Sequence, residues 1–375
     1  MTQVDAKKVE ADFITRCGIR RVLIVKMTSM GDVIHALPAA HALKRTFPFL
    51  SLHWVVEDRC APLLKDHPLL DSVLIYPRQN LSELIKRKRL GAAWKVLGDL
   101  RRALRGVEAD LSIDLQGLAK SALVVRLAGA RYRLGWQGQK ELSYLVSKRI
   151  KTEEGLHVVD TYLNLVESLG ARADQAAFGL EPNAEERAWA DSFLKRHGVH
   201  GGKGPLIGLL VGTAPPQKCW PLERHLFLME KLIKRPERRV ILLGDGKDRD
   251  AFDRVGRPPQ EGVIQAMGAF TLRRLMAVIE RCRLVIGGDS GPLHLAAAMG
   301  VPTLALFGGT DPAWTGPYGE GHRVIYKRLP CSPCFKSPAG KPYVCQGRKE
   351  CMTAIEVEEV AEAAEEMLGR PRGKA

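Results

Sequence analysis

Short apolar runs rich in Val, Ile and Leu recur along this 375-residue chain, each followed by residues at helical spacing, and the series starts twice. In the first block RRVLIVKM, SLHWVVED, SVLIYP, ADLSIDLQG and YRLGW read as strands. HALPAAHALKRTF, APLLKDHP, a long basic stretch and LAKSALVVRLAG read as the helices between them. In the second block LIGLLVGT, RRVILLGD, GVIQAMG, RLVIGGDS and PTLALFGGTDP are strands, separated by the helical PLERHLFLMEKLIKR, DRDAFDRV, TLRRLMAVIERC and GPLHLAAAMG. Strand–helix alternation of this kind builds parallel sheets covered by helices.

The chain is long enough for two such bodies. The alternation predicts an α/β protein with two Rossmann-like domains, residues 1–182 and 183–352. Residues 353–375 hold an acidic amphipathic helix, AIEVEEVAEAAEEML, expected to pack back on the body. Ligands of parallel sheets bind beyond the carboxyl ends of the strands, so two domains offer a cleft between facing loops.

Those loops hold the residues with chemical potential. In LVIGGDSGPLHLAAAMG, Asp289 or Ser290 can cap a helix whose first turn holds Pro292 and His294 and which Gly300 stops. Gly291 allows close approach to the helix-start N–H groups, a ready anion site. VGTAPPQKCWP places Thr213 and Lys218 after the first strand of the second block, where a lysine can neutralise a diphosphate. LLGDGKDRDAF carries Asp248-Arg249-Asp250; first-turn carboxylates more often stabilise the helix dipole than bind a metal. No loop matches G-x-G-x-x-G after the first strand or G-x-x-x-x-G-K-[ST], which counts against a plain dehydrogenase or P-loop enzyme.

Asp32, in IVKMTSMGDVIHALPA, falls at the carboxyl edge of the first sheet. As a helix N-cap it would be held ionised, which suits a base taking a proton late, as a hydroxyl attacks an electrophilic carbon. The helix after it either kinks at Pro38 or begins near it.

Charge narrows the partners. Lys plus Arg exceed Asp plus Glu by 57 to 42, a formal +15. From Arg78 to Arg105 nine basic residues face two acids, Glu83 and Asp99. Such a field attracts nucleic acid, anionic headgroups or an acidic substrate. Trp94 alone supplies an aromatic ring there, so base stacking is poorly supported, and the field reads as an anionic acceptor or membrane surface. The N-terminal MTQVDAKKVEADF is no signal peptide, and no apolar run spans a bilayer, so a cytoplasmic protein is expected. Four late cysteines, Cys331, Cys334, Cys345 and Cys351, read either as a structural zinc site or as reduced packing or redox-dependent thiols.

VLIVKMTSMGDVIHALPA, IDLQGLAKSAL followed by GW, GTAPPQKCWP, GGDSGPLHLAAAMGVPTLALFGGTDP and the late CSPCF…C…CM occur in this order between about Arg20 and Leu368. Together they resemble the ADP-heptose:lipopolysaccharide heptosyltransferases, glycosyltransferase family 9. The resemblance implies a GT-B fold and inverting, cofactor-free, metal-independent transfer of heptose from ADP-heptose. The implied acceptor is the lipopolysaccharide inner core, at the cytoplasmic face of the inner membrane. It implies Asp32 as general base. It implies Thr213, Lys218, Asp289, Ser290, Gly291 and His294 around the donor, with Asp248 where the family often has a ribose-binding glutamate. Joined to the charge field, it assigns Arg78, Lys86, Arg87, Lys88, Arg89 and Lys120 to the acceptor. MTSMGD and DLQGLAKSA look more like type I enzymes, which act on Kdo-lipid A; the cysteine tail looks more like type II, which add the second heptose. A GT-B-like sugar-nucleotide 2-epimerase is the rival enzyme; it would use more cleft carboxylates than Asp32 and Asp114. A nucleic-acid-binding protein has only the charge field behind it.

Overall fold

The computed structural model describes residues 13–138, 143–199, 204–212, 218–255, 260–334, 345 and 349–370. The chain divides into two compact units, Met1–Gly179 and Leu180–Ala375. In the first, β1 (Arg21–Val25), β2 (Ser51–Glu57), β3 (Ser72–Tyr76), β4 (Leu111–Asp114), β5 (Tyr132–Trp136) and β6 (Lys148–Ile150) form one sheet in the order β3-β2-β1-β4-β5-β6. In the second, β7 (Leu206–Leu210), β8 (Arg239–Leu243), β9 (Val263–Gln265), β10 (Leu284–Gly288), β11 (Thr303–Phe307) and β12 (Arg323–Tyr326) follow β12-β11-β10-β7-β8-β9. Counted from the start of each unit, both orders are 3-2-1-4-5-6, the doubly wound arrangement.

Every strand pair is parallel: Val22 lies beside Leu52 and Leu111, and Ile207 beside Val240 and Leu284. β7, β10 and β11 are buried along their whole length, as expected of sheets covered on both faces. The sequence reading missed only β6 and β12. Both are short edge strands, KRI and RVIY, whose outer residues stay exposed, so neither is an apolar run. In a doubly wound sheet the ligand crevice opens where the winding reverses, beyond β1 and β4 in the first unit and beyond β7 and β10 in the second.

The helix after β1 does not wait for Pro38 to begin. It begins at Met30 and runs unbroken to Thr46 through Pro38. The proline removes one backbone donor. Burial of Ile34, Leu37, Ala40 and Leu43, and packing against the helix Val158–Glu167, hold the helix together.

The acidic C-terminal helix, Val357–Gly369, joins the core of the second unit through Val357, Val360, Ala364 and Met367, against Leu226 and Met229. On its outer side Glu358, Glu359, Glu365 and Glu366 pair with Lys231, Lys327, Arg238 and Arg323. Exposed pairs contribute at most about 1 kcal/mol each, so the apolar face secures the helix and the charges fix its orientation. No described helix is long and apolar enough to cross a membrane.

Candidate functional site

In the first unit a polar cluster assembles beyond β1 and β4. Ser29, not Asp32, is the helix N-cap, and Asp32 occupies the third helical position. Asp32 Oδ2 accepts from the Ser29 N–H at 2.9 Å and the Ser29 hydroxyl at 2.7 Å, the reciprocal arm of a capping box. Asp32 Oδ1 lies 3.5 Å from Lys26 Nζ, and 44% of the Asp32 side chain remains accessible. One oxygen of the carboxylate is thus held by Ser29 while the other faces the Lys26 ammonium.

Lys26, which the sequence reading passed over as the end of a strand, is buried at 3% exposure. Its ammonium donates to Tyr162 Oη at 2.9 Å and to the Leu115 carbonyl at 3.1 Å. Burial by itself would push Lys26 down, but Tyr162 and Asp32 outweigh it and hold the ammonium above its ordinary range. Burial likewise opposes ionisation of Asp32, and the Lys26 charge with the Ser29 hydrogen bonds reverses that, so its carboxyl sits below the usual range. Chemistry that needs this carboxylate is complete above pH ~4 and is lost only as pH falls through the lowered value. Lys26→Met removes the largest lowering influence. The acid limb of kcat/KM should therefore move to higher pH while ADP affinity holds, and a limb that stays in place would show that Lys26 does not set the state of Asp32.

The segment IDLQGLAKSAL serves as scaffold to this loop. Gln116 Oε1 accepts from the N–H groups of Met27 and Thr28, at 3.0 and 3.1 Å. Asp114 is fully buried and accepts from the N–H groups of Gln116 and Gly117 and from the Ser121 hydroxyl. Burial raises its carboxyl. Asp114 is thus engaged as a brace for the turn that follows β4.

The basic residues separate into two groups. Glu57, at the carboxyl end of β2 and 1% exposed, accepts from Arg78 at 3.0 Å and Lys120 at 2.5 Å, so one buried carboxylate orients two cations from distant segments. Nothing in the sequence marked Glu57, because a carboxylate ending an apolar strand has no motif. Lys86, Arg87, Lys88 and Arg89 lie elsewhere, at the exposed turn between the helices Arg78–Lys86 and Leu90–Gly106.

In the second unit the crevice beyond β7 and β10 centres on Asp289, 7% exposed. His294 Nε2 sits 2.9 Å from its Oδ1; Lys218 Nζ at 2.5 Å and Thr310 Oγ1 at 2.6 Å donate to its Oδ2. Burial alone would raise this carboxyl, yet the hydrogen bond and charge of His294, then Lys218, hold it far below the carboxylate range. Neither Asp289 nor Ser290 caps the helix Gly291–Ala298 through its side chain. Ser290 holds the N-cap position, but its hydroxyl is buried with no described partner. Three residues singled out in the sequence, Lys218, Asp289 and His294, therefore form one cluster beside a helix start, and Thr310 of GGTDP joins them.

Asp248 stands apart from that cluster. It is the third residue of the helix Gly246–Asp253, and its Oδ2 accepts from the Asp245 N–H at 2.7 Å. It packs so closely on Gly212 that a Cβ there would lie 2.0 Å from Oδ2. Burial raises its carboxyl. Thr213 lies outside the described residues.

No described cysteine is in a disulfide. Among the described residues no group of three or more His, Cys, Asp or Glu side chains is placed to hold a metal ion. Cys351 is buried and packs towards Gly308; burial, then its neighbouring thiols, pushes it up.

The family model described as glycosyltransferase family 9 (heptosyltransferase) matches residues 97–343. Lipopolysaccharide heptosyltransferase 1 of Pseudomonas aeruginosa is 28% identical over 94% of this chain and 99% of its own. Lipopolysaccharide heptosyltransferase 2 of Salmonella typhimurium is 26% identical over 81% of this chain and 87% of its own. The structure of an Escherichia coli heptosyltransferase with ADP superposes with a TM-score of 0.67 at 26% identity, covering 92% of this chain and 99% of that one.

Proposed function

The chain belongs to glycosyltransferase family 9, and from that premise we propose that it transfers L-glycero-D-manno-heptose from ADP-heptose to Kdo-lipid A with inversion. The observation that carries this is the near full-length match to a type 1 heptosyltransferase, together with the charge-compensating cluster beyond β7 and β10. With that donor and a lipid-borne acceptor it would work at the cytoplasmic face of the inner membrane.

The proposed step is a single displacement. An acceptor hydroxyl oxygen bonds to the heptose anomeric carbon as the bond from that carbon to the ADP phosphate oxygen breaks, and the proton passes to Asp32 Oδ1. ADP departs with the electron pair. Lys218 and the N–H groups at the start of Gly291–Ala298 face the charge growing on the diphosphate; preorganised donors act most strongly on such charge. Ser290, with its buried hydroxyl, and His294, which fixes Asp289, complete this donor loop; Thr213 shares the other donor loop with Lys218 by sequence, and Asp248 is taken as the ribose contact by its place in the sequence alone. On the acceptor side Arg78 and Lys120, aimed by Glu57, take Kdo carboxylate or lipid A phosphate groups, and Lys86, Arg87, Lys88 and Arg89 supply the outer anionic contacts.

Glu57→Gln should release both cations and raise the acceptor KM roughly tenfold, the loss of about one charge-assisted contact, at unchanged ADP affinity. An unchanged acceptor KM would take Arg78 and Lys120 out of the acceptor site. The reading as a whole is tested by intact-mass analysis after incubation with ADP-heptose and either Kdo-lipid A or the same acceptor already carrying one heptose. One added heptose on the first acceptor alone is expected. Addition only to the second would make the chain a type 2 enzyme, and addition to neither would overturn the assignment.

A further inference from the structure

The helical hairpin of the first unit, Arg78–Lys86 and Leu90–Gly106, buries Leu81, Ala93, Leu100 and Leu104 against the core. Its tip is different: every residue from 85 to 91 is exposed. Ile85, Leu90 and Trp94 project there with 58%, 60% and 72% of their surface accessible. Leu90 and Trp94 are four residues apart on one helix and share a face. Gly91 and Gly98 lie beside these residues on the helix, and a Cβ at either would meet nothing within 4 Å, so this side of the helix is open.

Single exposed apolar residues need no explanation. Here three sit together inside a field of one sign. From 84 to 98 the chain holds five basic residues, Lys86, Arg87, Lys88, Arg89 and Lys95, and no acid. The nearest carboxylate, Glu83, stands 3.9 Å from Arg87 with both groups about 70% exposed, a pair too solvated to neutralise the tip. Protein interfaces are depleted in lysine at their centres, and single-stranded nucleic acid wants several stacking rings where this surface has one. Trp, Leu and Ile bordered by Lys and Arg are instead the composition of elements that lie in a bilayer's headgroup region.

We propose that this hairpin tip docks on an anionic lipid bilayer, with Ile85, Leu90 and Trp94 entering the headgroup layer and the surrounding Lys and Arg residues pairing with lipid phosphates. Its purpose rests on the proposed use of a lipid-borne acceptor, which the foot would let the first unit meet at the membrane surface. The docking itself is measured without donor or acceptor.

The test is co-sedimentation with vesicles of phosphatidylethanolamine and phosphatidylglycerol, and with vesicles of phosphatidylcholine alone, for the wild-type chain and for I85S/L90S/W94S. All three positions are exposed, and circular dichroism melting checks that the triple variant folds. The wild type should partition onto the anionic vesicles and not the neutral ones. The triple variant should lose about tenfold or more of that partitioning while transferring heptose to a water-soluble Kdo acceptor at the wild-type rate. Equal vesicle binding by wild type and variant overturns the proposal, as does wild-type binding that ignores lipid charge. Binding to a single-stranded oligonucleotide in place of vesicles, weakened by the same substitutions, assigns the surface to nucleic acid. Vesicle binding as expected with no transfer to any Kdo acceptor leaves the docking surface standing and brings down the functional reading instead.

Discussion

Asp32→Asn should lower kcat/KM for heptosyl transfer by about 10²-fold or more while leaving the fold and ADP affinity intact. Asn keeps an oxygen for the Ser29 N–H, so the capping box, worth about 1 kcal/mol, is largely retained. It cannot take a proton from the acceptor hydroxyl. The variant therefore separates two roles that one carboxylate plays at the start of the helix Met30–Thr46. Stability follows the same sign as activity: because the folded carboxyl is lowered, its contribution is present above the ordinary value near pH ~4 and is lost as pH falls through the lowered one. Rate and melting temperature measured together decide the matter. A large loss of rate with only a modest fall in melting temperature, from loss of the Lys26 ion pair, is expected, and near wild-type turnover would end the role of Asp32 as base.

Lys218→Met should weaken ADP binding by about 10- to 100-fold, the value of one charge-assisted contact to phosphate, and slow transfer as well. It should also destabilise the second unit by about 1–3 kcal/mol, because Asp289 is left buried with His294 and Thr310 as its remaining partners. Calorimetric titration with ADP and thermal melting check the two parts. If ADP binds the variant as tightly as the wild type, the lysine serves Asp289 alone and the diphosphate contact is misassigned.

Both predictions depend on loops that the sequence placed well and on partners it did not show. The alternation of apolar runs located ten of the twelve described strands, because parallel strands covered on both faces are mostly apolar. It missed β6 and β12, two of the four edge strands, in which Lys148, Arg149 and Arg323 leave no apolar run to find. Asp32, Lys218, Asp289 and His294 were legible because each stands in a short polar loop between apolar runs. Lys26 and Glu57 were not, although they hold the first unit's charged groups in place. A lysine or glutamate ending an apolar strand reads as the strand giving way to solvent, and only long-range neighbours such as Tyr162, 136 residues from Lys26, show that it is buried. Gln116 and Asp114 were quoted as part of a motif, yet their work is to brace backbone N–H groups; Asp114 does so within its own turn, and Gln116 on the loop after β1, a role visible only once β1 and β4 lie side by side. The helix start after β1 was misplaced for a local reason. Ser29 and Asp32 form a reciprocal box, and in such a box the first residue is the cap whichever of the two looks the better one.

ADP release measured with and without Kdo-lipid A tests the central claim most directly. Direct transfer predicts ADP formation only when the acceptor is present, in one-to-one proportion with heptosylated product, and loss of both in Asp32→Asn. Turnover of the sugar nucleotide without acceptor, with the sugar altered and still attached to ADP, would contradict it.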